Sequence, residues 1–260
     1  MIKYLVPLSL ILILVLPFVY QTTPLEVLKL KTFDALIPEQ QESGYFTVLN
    51  ITDDDINREG GYPLPRQRLA EINAQLKKKG ALGIGWVVAY PQPDRFGGDE
   101  TFKQSLADIP SVLAMFEGDN AQYPNTTGTV ILGEDVGGIL AAGVIQNIDL
   151  FKETSQQGIA VARTEVDSLV RRLPLLLRTP GGWVPAYGTE VLKILVGADT
   201  YVIKTNDNGL EEIRVKGLPA VPVDSLGRKW ISWVDTPQTD LATMDVQDKF
   251  VFIGFTAKGI

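Results

Sequence analysis

The chain opens on an uncharged run, Tyr4–Tyr20, dominated by Leu, Ile and Val and lacking an amphipathic period. Such a run is near the lower limit for a membrane-spanning helix, which takes roughly 17–25 apolar residues. Lys3 precedes it, and Tyr4, Phe18 and Tyr20 stand near its ends, where interfacial aromatics collect. It predicts an uncleaved anchor at residues 1–21 with its amino end in the cytoplasm. A cleaved signal peptide is the rival reading, but Val19–Pro24 offers no small-residue cleavage site.

Beyond the run the hydrophobic period changes. Leu25–Leu36 places apolar residues at 25, 27, 28, 30, 33 and 36, which predicts a helix leading away from the membrane. Pro38 ends it. Tyr45–Ile51 alternates and predicts the first strand, followed by an acidic, turn-rich stretch, Thr52–Gly61. Pro65 with Leu69, Ile72 and Leu76 predicts a helix to Lys79, capped by Gly80. Ala81–Tyr90 is continuously apolar and suits a buried strand. This strand–helix–strand unit predicts that Tyr45–Ile51 and Ala81–Val88 are adjacent parallel strands. A short helix at Asp99–Asp108 and a third strand at Ser111–Phe116 follow, then a loop at Gly118–Gly128. Val130–Asp149 is glycine-rich and gives no clear element. Further strands are expected at Gly158–Arg163, Arg172–Arg178, Tyr201–Lys204, Glu212–Val215, Val221–Val223, Trp230–Val234 and Phe250–Phe255, with a helix at Trp183–Gly197. The fold class expected is α/β: a mixed, partly parallel sheet with flanking helices, preceded by one transmembrane helix.

Composition narrows the chemistry. The 260 residues are 45% hydrophobic and 21% charged, a globular balance. With 31 acids against 24 bases the net charge is −7, and no basic stripe is present, so no nucleic-acid partner is expected. The chain contains neither cysteine nor histidine. That removes disulfides, thiolate nucleophiles, Ser-His-Asp catalysis and Cys- or His-ligated metals. No cofactor is expected.

The densest acidic cluster is Asp53, Asp54 and Asp55, with Asn57 and Glu59. Its spacing resembles the start of a calcium loop, but that loop needs Gly and Glu where Arg58 and Leu64 stand. The cluster follows a predicted parallel strand, the edge where open α/β sheets bind ligands. A solvated turn capping a helix is the simpler reading. Arg66 opens the next helix and is expected to reach Asp53, Asp54 or Asp55 as a salt bridge, or to hold an anion bidentately. Asp94 and Asp99 follow the second predicted strand and could join the same edge, or could be ordinary loop polarity. Asn125-Thr126-Thr127 matches a glycosylation sequon, a pattern of low specificity.

Several stretches, in order, resemble the CHASE type 2 domain, the cyclase/histidine-kinase-associated sensory extracellular domain. Tyr62-Pro63-Leu64-Pro65-Arg66 with Leu69-Ala70 and Gly80-Ala81 is similar to the family's "WPWPR…LA…L…GA". Leu49–Asp55 resembles its strand and "IDD" turn, and Asp99, Phe102 and Leu106 its "D…LA" helix. Asp167–Pro174 is similar to "DGVVRRVPL", and Lys249–Ala257 to "KIVLIGSTA". The chain departs from the pattern at Trp86, where the family often has Asp, at Tyr62 for the first Trp, and at Ser168 for the Gly before the arginine pair.

The resemblance implies a non-enzymatic input domain, residues 22–260, lying outside the cytoplasmic membrane. The expected partners are the membrane, a small-molecule or environmental stimulus, and a second copy in a homodimer. In the family, further membrane helices and a cyclase or kinase output follow such a domain. Two other readings stay open on the residues alone: a ligand-free interaction module and a carboxylate-dependent periplasmic hydrolase.

Overall fold

In a computed structural model of the protein the described residues are 23–38, 40–119, 123–124 and 128–256. The apolar run Tyr4–Tyr20 and the sequon Asn125–Thr127 lie outside them. Among the described residues no helix is long and apolar enough to cross a membrane.

The first helix, α1 (Thr23–Leu36), buries only Leu30 and stands as a stem on the rest of the chain. The core begins at β1 (Phe46–Ile51). Two helices follow, α2 (Asp53–Arg58) and α3 (Arg66–Lys78), then β2 (Gly83–Trp86), α4 (Asp99–Ala107) and β3 (Ser111–Glu117). Beyond them lie β4 (Thr129–Leu132), β5 (Val144–Ile145), α5 (Asp149–Lys152) and β6 (Gln156–Ile159). Next are β7 (Arg172–Pro174), β8 (Leu176–Thr179), β9 (Gly182–Pro185) and α6 (Tyr187–Leu195). The last strands are β10 (Tyr201–Asn206), β11 (Gly209–Val215), β12 (Val221–Pro222), β13 (Arg228–Trp230), β14 (Gln238–Thr239) and β15 (Phe250–Phe255).

Among the described residues the main sheet has seven strands in the order β14-β1-β15-β2-β3, with β6 and the short β5 both beside β3. Every pairing is parallel except β3 with β5. Parallel strands are covered on both faces, and these are. Leu69, Ile72 and Leu76 of α3 and Phe102 and Leu106 of α4 pack on one face around Ile51, Ile84, Trp86 and Ile253. Tyr187 and Val191 of α6 cover the other, against Val112, Ala114 and Phe250. Gly158 permits this approach: a Cβ there would stand 2.6 Å from the Tyr187 Cα.

The expected adjacency of the first two strands is overturned. β15 lies between them, pairing Phe46–Ile51 with Phe250–Phe255 on one side and Gly83–Trp86 with Phe250–Ile253 on the other. The α3 crossover skips one position, and the apolar closing strand fills the slot.

Other boundaries shift for physical reasons. Thr52–Gly61 contains a helix rather than turns alone, because Thr52 and Asp55 form a capping box. Arg172–Arg178 divides at Leu175: Arg172–Pro174 pairs with β13, and Leu176–Thr179 turns back on β9. That hairpin claims Trp183–Pro185, so the following helix starts only at Tyr187. The strand expected at Gly158–Arg163 runs at Gln156–Ile159, in register with Val112–Met115. The strand expected at Trp230–Val234 ends at Trp230. Within the glycine-rich stretch, Thr129–Leu132 becomes the edge of a four-stranded sheet, β12-β11-β10-β4. Its core of Trp183, Tyr201, Ile203, Leu210 and Ile213 is separate from that of the main sheet.

Candidate functional site

The carboxyl edge of the parallel sheet holds the predicted site residues in two groups. In the first, the Thr52 hydroxyl accepts from the Asp55 N–H at 3.3 Å, while Asp55 Oδ2 accepts from the Thr52 N–H at 2.9 Å. Arg58 Nη2 donates to Asp55 Oδ1 at 2.5 Å. Asp55 is buried; Asp53 and Asp54 are exposed. Acidic residues in a first turn also suit the positive end of a helix dipole. Asp55 is therefore a helix cap, and among the described residues no three acids converge as a metal site.

The second group joins Arg66, Asp94 and Asp99. Pro65 precedes α3 and brings no side-chain cap, so Asp94 supplies it: the Arg66 N–H donates to Asp94 Oδ2 at 2.8 Å. The Asp94 N–H donates in turn to Asp99 Oδ2 at 2.8 Å. Arg66 Nε lies 3.5 Å from Asp99 Oδ1, and the guanidinium carbon stands 4.1 Å from the Tyr90 ring centre. The expected pairing of Arg66 with the acidic turn is thus corrected. Asp55 is satisfied within its own turn by Thr52 and Arg58, and Arg66 projects toward the loop after β2. Burial works against ionisation of Asp94, but the backbone N–H groups of Arg66, Phe96 and Gly98 outweigh it and hold its carboxyl below the usual range. Burial pushes the Tyr90 hydroxyl up, so it stays neutral.

A stronger charge site lies where the stem meets the domain. Arg171 is 4% exposed. Its Nε and Nη2 donate to the two carboxylate oxygens of Asp34 on α1, at 2.7 and 2.8 Å. Its Nη1 and Nη2 donate to Asp167 at 2.7 and 2.8 Å. One guanidinium therefore clamps two carboxylates, the bidentate geometry for which arginine is suited. Arg172 beside it forks onto Glu165 at 2.7 Å through both Nε and Nη2. It also lies 5.1 Å from the Trp230 ring, whose other neighbour is Phe33 of α1, stacked at 4.2 Å. The Arg171 hydrogen bonds hold Asp167 at about 2 and lower Asp34 as well. The sequence displays the arginine pair and its motif but not the role of either arginine. The local sign was Asp167 four residues before Arg171; the partner Asp34 is 137 residues away.

Two cavities adjoin these elements. An apolar cleft of about 890 Å3 lies under α6, bounded by Phe46, Phe116, Leu173, Tyr187, Ile231 and Phe252. A polar cavity of about 340 Å3 lies between β6 and the second sheet, with Gln157, Glu190, Lys193 and Tyr201 on its wall. There Tyr201 donates its hydroxyl to Glu190, and Lys193 Nζ pairs with the same carboxylate at 2.6 Å. Burial, then the neighbouring Glu190 charge, pushes the Tyr201 hydroxyl up.

A parallel sheet with helices on both faces, a second small sheet and an ion-paired stem helix define a mixed α/β domain. The sequence model of the CHASE2 domain matches residues 10–260, and the chain belongs to that family of extracellular sensory domains of signalling receptors. No curated protein and no solved structure matches. Against the family pattern, Trp86 is fully buried and its Nε1 donates to Asn73 Oδ1 at 3.0 Å, so an indole and an amide satisfy each other where the family often has an acid. Ser168 stands with φ +65°, a conformation that suits the glycine usual there.

Proposed function

We propose that this chain is the input domain of a membrane-bound receptor whose output is a cyclase, histidine kinase or Ser/Thr kinase. Residues 1–21 anchor it, residues 22–260 face the outside, and a small-molecule or environmental stimulus biases its conformation. The observation that carries the reading is the Arg171 clamp. It joins the family's arginine motif to Asp34 on the helix that follows the apolar run. A stimulus moves such an equilibrium only by its differential affinity for two states. A joint of charged forks, partly open to water at Asp34, supplies two arrangements more readily than a packed core does.

The absence of native cysteine makes topology testable with single introduced thiols. In intact cells a membrane-impermeant maleimide is expected to label Asp207→Cys, in the exposed turn between β10 and β11, and to label Lys3→Cys only after lysis. Labelling of Lys3→Cys in intact cells, or protection of Asp207→Cys, overturns the reading.

A further inference from the structure

The stem helix α1 has two apolar sides, and the domain covers one. Leu30 is buried, Phe33 stacks on Trp230 and Asp34 meets Arg171, so these residues mark the side that lands on the domain. The opposite side, at helical spacing, is Leu25, Leu28, Thr32, Ala35 and Leu36. It carries no charge. Leu28 is 61% and Leu36 75% exposed, and Thr32 and Ala35 are exposed as well. A helix with an apolar stripe on each side has two surfaces to cover. The spacing says what fits the open one. Residues 25, 28, 32 and 35 step by three, four and three, which are the a and d positions of a heptad. In that register Phe33, Asp34 and Leu30, which meet the domain, fall at b, c and f, and the seam is left free.

A parallel, two-stranded pairing satisfies each position. β-Branched Thr32 at a and Leu28 at d match the two-stranded preference. The Thr32 hydroxyl donates to the Leu28 carbonyl of its own helix at 2.8 Å, so burying it in a seam leaves no orphaned donor. Lys29 and Lys31 fall at e and g, on the two margins. In parallel register the g residue of one helix faces the next e residue of the other. Lys31 then stands opposite Leu36 of the second copy, and Lys29 opposite its Pro24, so no like charges meet. The lysine stems can cover the seam while their ammoniums stay in water. A seam of four positions is too short to hold two free helices together. On the receptor reading above, however, the same apolar run anchors both copies, which aligns their stems in one direction and raises their effective concentration. We propose that α1 pairs in parallel with α1 of a second copy of this chain, along Leu25, Leu28, Thr32 and Ala35. The pairing rests on that reading and adds the partner to it.

Because the chain has no native cysteine, single introduced thiols report the seam. The full chain in membranes is oxidised mildly with copper–phenanthroline and resolved without reductant. A disulfide needs Cα atoms within about 7 Å of each other, which seam positions meet and margin positions do not. Leu25→Cys, Leu28→Cys, Thr32→Cys and Ala35→Cys are expected to yield linked dimer at least about threefold above Lys29→Cys and Lys31→Cys. Asp207→Cys, in the exposed turn between β10 and β11, measures random collision. Adding Leu28→Glu to Thr32→Cys sets two carboxylates against each other at d and is expected to cut the yield at least about threefold. It is expected to leave the thermal midpoint in detergent unchanged, because Leu28 is exposed in the single chain. Equal yields at seam and margin thiols, seam yields no higher than Asp207→Cys, or a yield insensitive to Leu28→Glu overturns the proposal. Seam thiols that form no dimer but are shielded from an impermeant maleimide place the face on lipid or on another part of the chain, and overturn it too. Labelling of Lys3→Cys and Asp207→Cys reads topology whatever the disulfide yields, so the pairing and the receptor reading fail separately.

Discussion

On one side of the molecule Trp86, Tyr90, Phe102 and Phe151 meet mostly edge to face, with ring centres 5.3–6.4 Å apart, around the carboxyl half of the parallel sheet. On the other, where α1 lands, contact is made by guanidinium forks on Asp34, Asp167 and Glu165, and by one ring pair, Phe33 on Trp230. The first arrangement fills space and has one solution, because close-packed interiors do not deform continuously. The second is directional, partly wetted and sensitive to charge. A receptor domain needs both: a part that stays and a joint that changes.

The largest expected effect falls on the packed side. Phe102 is fully buried between α4 and the sheet. Phe102→Ala is expected to cost about 3–5 kcal/mol, through lost transfer energy and the cavity left behind. Phe96→Ala, at a residue 58% exposed, is expected to stay within about 0.5 kcal/mol. Urea unfolding of both variants measures the difference. Similar midpoints would show that the aromatic cluster does not anchor the sheet.

Next in size is the stem clamp. Arg171→Ala strands Asp167 and frees Asp34, and is expected to cost about 2 kcal/mol, less than a fully buried pair because Asp34 is 41% exposed on its side chain. Hydrogen exchange is expected to show α1 deprotected while β1, β15 and β2 stay protected. Uniform deprotection would mean that the clamp belongs to the global fold. The same joint sets a pH response. Arg171 lowers Asp167 from 3.8 to about 2, and Asp34 shifts in the same direction. A lowered folded-state value contributes stability that is complete above 3.8 and lost as pH falls through about 2. Acid titration is therefore expected to release α1 within that window, and Asp167→Asn is expected to shrink the response.

The two sides also differ in how far the sequence disclosed them. Alternation at Tyr45–Ile51 announces a strand, and the apolar runs at Ala81–Tyr90 and Phe250–Phe255 announce buried ones, because burial on both faces leaves a continuous hydrophobic stretch. What they do not encode is order: that 250–255 lies between 46–51 and 83–86 is a long-range choice. Polar partners were harder still. Asp55 looked open to Arg66 because its claims on Thr52 and Arg58 appear only once α2 is formed. Asp94 and Asp99 are visible as candidates, but the task of Asp94 in capping α3 follows from Pro65 lacking a side-chain donor or acceptor, and that of Asp99 from holding the Asp94 N–H. The polar cavity gave no sequence signal, since Gln157, Glu190 and Tyr201 converge from separate elements.

Arg66 offers a smaller contrast at the edge of the packed side. Its side chain is 11% exposed, paired with Asp99 and seated on Tyr90, whereas Arg95 is an exposed loop residue over Phe96. Arg66→Ala is expected to cost about 1–2 kcal/mol, through lost packing and the stranded Asp99, and Arg95→Ala under about 0.5 kcal/mol. Asp99→Asn separates the two causes: if charge pairing dominates, it reproduces most of the Arg66→Ala loss in thermal melts. A small loss in Asp99→Asn assigns the effect to the ring contact. Equal and negligible shifts at Arg66 and Arg95 would remove Arg66 from the structural network.

The smallest expected effect tests the forked side by improving it. Ser168 adopts φ +65° in the turn between Asp167 and Arg171, and its N–H donates to the Glu165 carbonyl at 3.0 Å. A left-handed conformation costs an L-residue about 1–2 kcal/mol relative to glycine. Glycine returns part of that through its freer unfolded chain. Ser168→Gly is therefore expected to stabilise the turn by at most about 1 kcal/mol, raising Tm by a few degrees or less. The gain should appear chiefly as slower exchange in the 165–171 turn and in α1, because the turn presents Asp167 to the clamp. If the substitution instead destabilises the domain, the Ser168 side chain contributes more than its backbone strain costs. The forked side would then be less adjustable than its chemistry indicates, and the contrast with the aromatic cluster would narrow.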